Sequence, residues 1–382
     1  MDFKIKTSTQ RRRETEAAFS MGIEEEYFLC DAVSLDLAMR TPEELFQHRH
    51  AQTGASVNYE MLQAQIEVAT RPHKSVRCAR DELINLRGTA SDAAAKHGLK
   101  IIASGTHPTG DWREAIHTPK ERYHELMAGL QMVGQRNLLC GMHVHVELPD
   151  ADSRIDVMAR MIPYLPLLVA LSTSSPFWRG QCSGLKGYRL TAYDELPRTG
   201  MPELFRSAGD YDAYVSALVC SGAIPDASHV WWSVRPSHKY PTLELRAPDC
   251  CTRIDDALAI ASLYRALVRH LFRYPQVNAE LDNVDRAIAV ENKWRAQRYG
   301  VEGSFASAIG AITVSDMLNQ VIEQISADAE GLGCLDAVEH CRSIISLGTS
   351  ADMQLRLFFN QEGEKSSFNP VLRWIADTTV CG

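Results

Sequence analysis

Gly141-Met142-His143-Val144-His145-Val146-Glu147 alternates apolar and polar residues from Met142 onward. On a β-strand, Met142, Val144 and Val146 point to one face, and His143, His145 and Glu147 point to the other. The pattern recurs. In Gly22-Ile23-Glu24-Glu25-Glu26-Tyr27-Phe28-Leu29, Glu24 and Glu26 share a face with Phe28, and Glu25 takes the opposite one. In Gln65-Ile66-Glu67-Val68, Glu67 faces away from Ile66 and Val68. In Thr242-Leu243-Glu244-Leu245-Arg246, the leucines make the apolar face, and Glu244 and Arg246 make the polar one.

One such strand is the ordinary dress of a half-exposed sheet. Four of them, carrying closely spaced carboxylates and imidazoles, predict a shared polar face bearing Glu24, Glu26, Glu67, His143, His145, Glu244 and Arg246. Carboxylates crowded in this way repel, and their pKa values rise unless a cation neutralises them. Oxygen ligands with one or two imidazoles suit Mg²⁺ or Mn²⁺ better than Zn²⁺. Several carboxylates predict two or more ions bridging phosphate oxygens, with Arg246 offsetting charge on a transferring phosphoryl group. Glu60 lies seven residues before Glu67, on the opposite face of a straight strand, and joins the site only if the chain bends between them.

The bulk properties fit a globular enzyme. The chain has 382 residues, 45% of them hydrophobic and 23% charged, and a net charge of −8. That balance argues against a broad nucleic-acid surface. Arg11-Arg12-Arg13 sits in a polar segment expected to be a mobile leader over residues 1–19. Ten cysteines without a CxxC spacing read as reduced thiols, mostly core fillers, and point to the cytoplasm. The most apolar stretch, Val157 to Trp178, is interrupted by Arg160, Pro163 and Pro166, so it predicts a buried helix and not a membrane span.

From residue 20 to 382 the pattern predicts a single α+β domain with helices packed on a sheet. Strands are expected at Met21–Cys30, within 59–70, and at 99–103, 231–235 and 242–247. Helices are expected over 75–97, 118–138, 153–172 and most of the chain after Asp255. Residues 175–202, rich in Gly, Pro, Arg and Tyr, are expected to form a long ordered loop over a site. His107 before Pro108 reads as a turn residue, and Trp231-Trp232 as core plus rim.

These residues resemble the glutamate–cysteine ligase type 2 family, the YbdK-like carboxylate–amine ligases of the glutamine-synthetase-like superfamily. The matching segments are Gly22–Tyr27, Gly105-Thr106-His107-Pro108, Arg122-Tyr123, Gly141–His145, Ser174–Trp178, Pro197–Gly200, Val234-Arg235-Pro236, Glu244-Leu245-Arg246 with Asp249, and Asn292–Gly300. The resemblance implies a mainly antiparallel sheet whose concave polar face is the active site, with helices on the other side. It implies an ATP-dependent ligase with Mg²⁺ or Mn²⁺. A substrate carboxylate, expected to be the γ-carboxylate of glutamate, attacks the γ-phosphate of ATP, and cysteine or another amine displaces phosphate from the acyl phosphate. Glu24, Glu26, Glu67, His143 and Glu244 then fall at metal positions, and Arg246 at the phosphate-contacting one. Arg189 and Arg198 are candidates to clamp the substrate α-carboxylate. Asn292, Arg295 and Arg298, on a helix that also carries Tyr299, are candidates to face the nucleotide. His145 is expected to orient its neighbours or touch substrate, and a homodimer is a family expectation.

Two rivals remain at this level. His143-Val144-His145 could serve a zinc amidohydrolase, which needs further His or Asp ligands on later parallel strands. A non-catalytic sensor of nucleotide or amino acid would keep the same residues without turnover.

Overall fold

The computed structural model describes residues 19–47, 57–308, 310–359 and 367–381. Arg11-Arg12-Arg13 and the rest of the expected leader lie outside the described residues, apart from Phe19. That residue is buried, edge-on to Phe272, and donates its backbone N–H to the Glu147 carbonyl. It therefore belongs to the core and corrects the leader boundary by one residue.

The alternating segments pair as expected. A seven-stranded sheet runs β2 (Asn58–Tyr59), β3 (Gln65–Ala69), β1 (Met21–Asp31), β5 (Met142–Glu147), β9 (Thr242–Leu245), β8 (Val234–Pro236), with β4 (Leu99–Ile102) alongside the far half of β1. Every pairing is antiparallel. The apolar residues Met21, Ile23, Met142, Val144, Val146, Leu243 and Leu245 are fully buried. They pack into one core with α3 (Ala151–Met161), α4 (Leu165–Ser172) and α7 (Ile254–Arg273). The apolar run over 151–172 is 83% buried in its most apolar window, and a 3-10 turn at Ile162–Tyr164, containing Pro163, divides it.

A second core gathers Tyr27 to Cys30 with β4, the later half of α1 (Val76–Ala95) and α12 (Asn369–Val380). Both β1 and α1 run through the two cores, and a buried ion pair marks the seam. Glu25, on the apolar face between Ile23 and Tyr27, receives Arg87 at 2.8 and 2.7 Å. Arg87 lies on α1 between Leu83 of the first core and Ala90 of the second. Its remaining donors reach the carbonyls of Cys251, Thr252 and Thr379. All five N–H groups are thus used, which is what a guanidinium needs before it can be buried.

Several expected elements are shorter or broken. The helix expected over 118–138 starts at Glu121 as α2 (Glu121–Leu130) and breaks at Gln131, where φ is +53°, before a one-turn helix over 132–135. The strand expected at 231–235 shrinks to Val234–Pro236. Trp231 and Ser233 turn their N–H groups to the carbonyls of Arg198 and Gly200 instead. The expected loop over 175–202 contains a tight hairpin, β6 (Phe177–Trp178) and β7 (Gln181–Cys182), and the short helix α5 (Tyr188–Tyr193). Arg179 and Gly180 take positive φ at its tip, as a two-residue hairpin turn requires. The helix α6 (Ala208–Cys220) was not among the expected helices; its signals were Tyr211, Tyr214, Val215 and Leu218 at helical spacing, which pack on the core, and Ser207, which caps the Asp210 N–H. Trp232 stacks against Tyr214 of α6, while Trp231 stays at the rim. None of the ten cysteines is paired, and six are buried.

Candidate active site

Strand register assembles the polar face. Glu24 sits opposite His143, Glu26 opposite Glu67, His145 opposite Glu244, and Glu244 opposite Arg235. Directly opposed side chains on one face lie within reach of each other. Two groups of ligand atoms result, each with all its members within 4.8 Å: Glu24, His143 and Glu244, and Glu26, Glu60 and Glu67. His143 lies between them, 3.5 Å from Glu24 and 3.8 Å from Glu26. Glu60 joins because the chain turns between β2 and β3, where Leu62 bridges to His117 and Gln65 closes on the Leu62 carbonyl. Sequence spacing left that turn open.

The second group is short of positive charge. Burial, then the neighbouring Glu26 carboxylate, pushes Glu60 up to about 8. Burial, then Glu60, raises Glu67 well above the carboxylate range. In the first group, burial would raise Glu24, but hydrogen bonds from His143 and His145 outweigh it and hold the carboxyl well below its usual value. Burial and the Arg246 charge lower His143, whose buried Nε2 has no hydrogen-bond partner. An oxygen-rich set, one imidazole and an orphaned ring nitrogen fit hard divalent cations such as Mg²⁺ or Mn²⁺. His145 is not in either group. Its Nδ1 lies 2.8 Å from Thr242 Oγ1 and its Nε2 3.5 Å from Glu24, so it orients that carboxylate.

Glu244 is buried and held between two arginines. Arg235 reaches it at 2.9 and 3.2 Å while donating to the carbonyls of Ser228 and Val230, and Arg246 donates from the other side. Burial opposes ionisation, but the charges of Arg246 and Arg235 hold the carboxyl far below its ordinary value. Arg246 also donates to the Tyr193 hydroxyl at 3.2 Å, and its buried Nε has no partner. Arg235 stands in the Val234-Arg235-Pro236 segment with no expected role; its place on the strand beside Glu244 gives it one.

Other expected site residues are placed elsewhere. Arg189 is 2% exposed; its Nη1 donates to the carbonyls of Arg246, Ala247 and Pro248, and its buried Nε has no hydrogen-bond partner, so it lies among the backbone carbonyls behind Arg246. Asn292 exchanges two hydrogen bonds with Ala306 of β10 (Ser304–Ser307). Arg295 bonds Ser304 at 2.5 and 3.0 Å, and Arg298 lies over the Tyr299 ring. Asn292 and Arg295 of α8 (Asn283–Tyr299) therefore secure a hairpin, because their donors find acceptors there, while Arg298 stays exposed. Arg198 donates to the His229 carbonyl at 2.9 Å over Trp231, and burial, with the charges of Arg122 and Arg198, lowers His229. His107 is buried, and its Nδ1 caps the turn by accepting from Gly110, as a turn residue should.

The remaining quoted motifs interlock behind the sheet. Asp249 accepts from the Ser174 N–H and the Ser175 hydroxyl, Gly105 donates to Ser174 Oγ, and Thr106 donates to the Phe177 carbonyl. Gly141 gives its N–H to Glu26 at 2.6 Å, and a Cβ there would stand 2.0 Å from Arg189 Nη2. Arg189 is 2% exposed and its Nη1 is held by three carbonyls, so moving Nη2 aside would break those contacts. Gly141→Ala should therefore cost about 1–3 kcal/mol in a urea melt, as overpacking does. A wild-type-like melting profile would contradict the close packing.

A model of the family described as glutamate–cysteine ligase family 2 matches residues 20–369. A protein of Bradyrhizobium sp. BTAi1, provisionally named glutamate–cysteine ligase 2, is 57% identical over 362 residues, which cover 95% of this chain and 88% of that one. One of Rhodospirillum rubrum with the same name is 45% identical over 350 residues, covering 90% of each chain. Among solved structures, the glutamate–cysteine ligase of Francisella tularensis in complex with AMP superposes with a TM-score of 0.70 at 15% identity, covering 96% of this chain and 89% of that one. A bifunctional glutathione synthetase from Pasteurella multocida gives a TM-score of 0.71 at 14% identity, over 97% and 54% of the two chains. At these identities the two structures show the shared fold.

Proposed function

The chain belongs to glutamate–cysteine ligase family 2, an ATP-dependent family forming C–N bonds from small amino-acid substrates, and from that premise we propose how its polar face works. The observation that carries the proposal is the pair of three-ligand groups lying side by side, with Arg246 against one of them. Glu24, His143 and Glu244 would hold one divalent cation and Glu26, Glu60 and Glu67 another. Such cations would supply charge neutralisation for phosphate oxygens. Arg246, kept charged and aimed by Glu244 and Tyr193, stabilises the transferring phosphoryl group through its unpartnered Nε. Arg235 keeps Glu244 in place, and His145 with Thr242 does the same for Glu24. No protein nucleophile is required. The substrate carboxylate attacks the γ-phosphate and ADP leaves, then the amine attacks the acyl carbon and phosphate leaves. Arg122 and Arg198, whose charges both act on His229, would receive the carboxylate of an amino acid, glutamate being the expected one and cysteine the expected amine.

The zinc amidohydrolase alternative loses its premise, because no ligand group among the described residues contains both histidines and the sheet is antiparallel. The sensor alternative is separated by turnover. With Mg²⁺, ATP and a panel of carboxylates and amines, the full chain should release ADP only when both a carboxylate and an amine are supplied. ADP release independent of both, or none with any pair, would refute the ligase mechanism. Mg²⁺ or Mn²⁺ at about 100 times its Kd should raise Tm by a few degrees, reversed by chelator. An unchanged Tm would remove the metal assignment.

A further inference from the structure

The hairpin joining β8 to β9 stands at the mouth of the Glu24 group, and none of the roles described so far uses its tip. Ser237 closes the turn, donating its N–H to the Thr242 carbonyl at 2.9 Å. Tyr240 at the tip is 47% exposed, yet its ring meets His145 edge-on at 5.9 Å and 90°. Lys239 lies over the Tyr240 ring at 5.0 Å, and after Tyr240 itself the carboxylate of Glu24 contributes to holding its charge. A large aromatic ring and an ammonium are thus exposed together, one imidazole away from a metal-ligand carboxylate.

We propose that Lys239 and Tyr240 form the nucleotide-contacting lip of the site, Tyr240 covering the base or ribose and Lys239 meeting a phosphate. The inference rests on the ATP-dependent ligase reading and adds to it the element that recognises the nucleotide. Of the reactants, only the nucleotide offers a flat π-face, which an exposed aromatic ring can stack against. It also brings the largest negative charge, and lysine meets phosphate as a point charge. The hairpin borders the half of the site that carries Arg246 and Arg235, whereas the other half presents three carboxylates. Of the α8 residues expected to do this work, Asn292 and Arg295 are occupied elsewhere.

The test is equilibrium binding of a non-hydrolysable ATP analogue with Mg²⁺ to the full chain, alongside steady-state ADP release. Tyr240→Ala should weaken analogue binding on the order of tenfold, with Tyr240→Trp close to wild type. Lys239→Ala should weaken it by about threefold at low salt and less at high salt. In turnover, KM for ATP should rise while KM for carboxylate and amine stays put. Unchanged analogue affinity in both alanine variants overturns the proposal, and so does a rise confined to the carboxylate or amine KM. If the wild type binds the analogue tightly and releases no ADP with any substrate pair, the ligase reading fails while the variants still decide the lip. Both side chains are exposed, so a circular dichroism melt should show all variants folded, and lost affinity then reports contact.

Discussion

Glu67→Gln and Glu244→Gln should each lower ADP release by about a thousandfold or more, while moving stability in opposite directions. On the proposed mechanism each carboxylate would hold a cation, and losing it would remove charge stabilisation from phosphoryl transfer, where positioning and electrostatics supply nearly all the rate. The stability signs differ because the two carboxylates live in opposite fields. Glu67 shares a buried corner with Glu60 and Glu26, its charged form is disfavoured, and glutamine relieves that repulsion in the metal-free protein. Glu244 is the anion between Arg235 and Arg246, so glutamine leaves two buried cations without their partner and should cost about 3–5 kcal/mol. The pH dependence follows. A carboxyl raised to about 8, as at Glu60, binds its proton more tightly folded than unfolded. Metal-free stability should therefore fall as pH rises from the ordinary carboxylate range through about 8, and Glu60→Gln should flatten that fall. Turnover near wild type in either the Glu67 or the Glu244 variant would sink the metal assignment. Equal stability losses in both would sink the electrostatic account.

Arg87→Ala should be among the most destabilising single changes in the molecule, costing about 3–5 kcal/mol in a denaturant melt. It would leave the Glu25 carboxyl fully buried without its cation and facing only the Tyr27 hydroxyl at 2.5 Å. It would also strip the carbonyls of Cys251, Thr252 and Thr379 of a donor. Because the pair sits where the two cores meet on β1, the loss should slacken the strand that carries Glu24 and Glu26, and activity should fall with stability. The double variant Glu25→Leu with Arg87→Met should recover much of the stability, since the desolvation cost of a buried pair disappears with both charges. A single-variant loss under about 1 kcal/mol would show that the seam is solvated.

Much of the site was legible before any tertiary contact was known. Glu24, Glu26, Glu67, His143, Glu244 and Arg246 were identified by alternation, and the structure brings all six to one face. Less was legible where a side chain's partner is distant in sequence. Arg189, Asn292 and Arg295 carry the same donors as a substrate or nucleotide ligand, and nothing local says that backbone carbonyls take them. Glu25 was assigned to the opposite strand face, and its partner Arg87, 62 residues away, was not foreseen.

What the sequence determined by itself was the face on which each strand residue points, because side chains alternate along a strand by covalent geometry alone. What only the tertiary structure decided was adjacency. Register set Glu24 against His143 and Glu26 against Glu67, the turn after β2 delivered Glu60, and the β8–β9 hairpin laid Tyr240 against His145. These depend on contacts across long stretches of chain, whose energy comes from burying the opposite, apolar face of the sheet and not from the polar residues that the burial brings together.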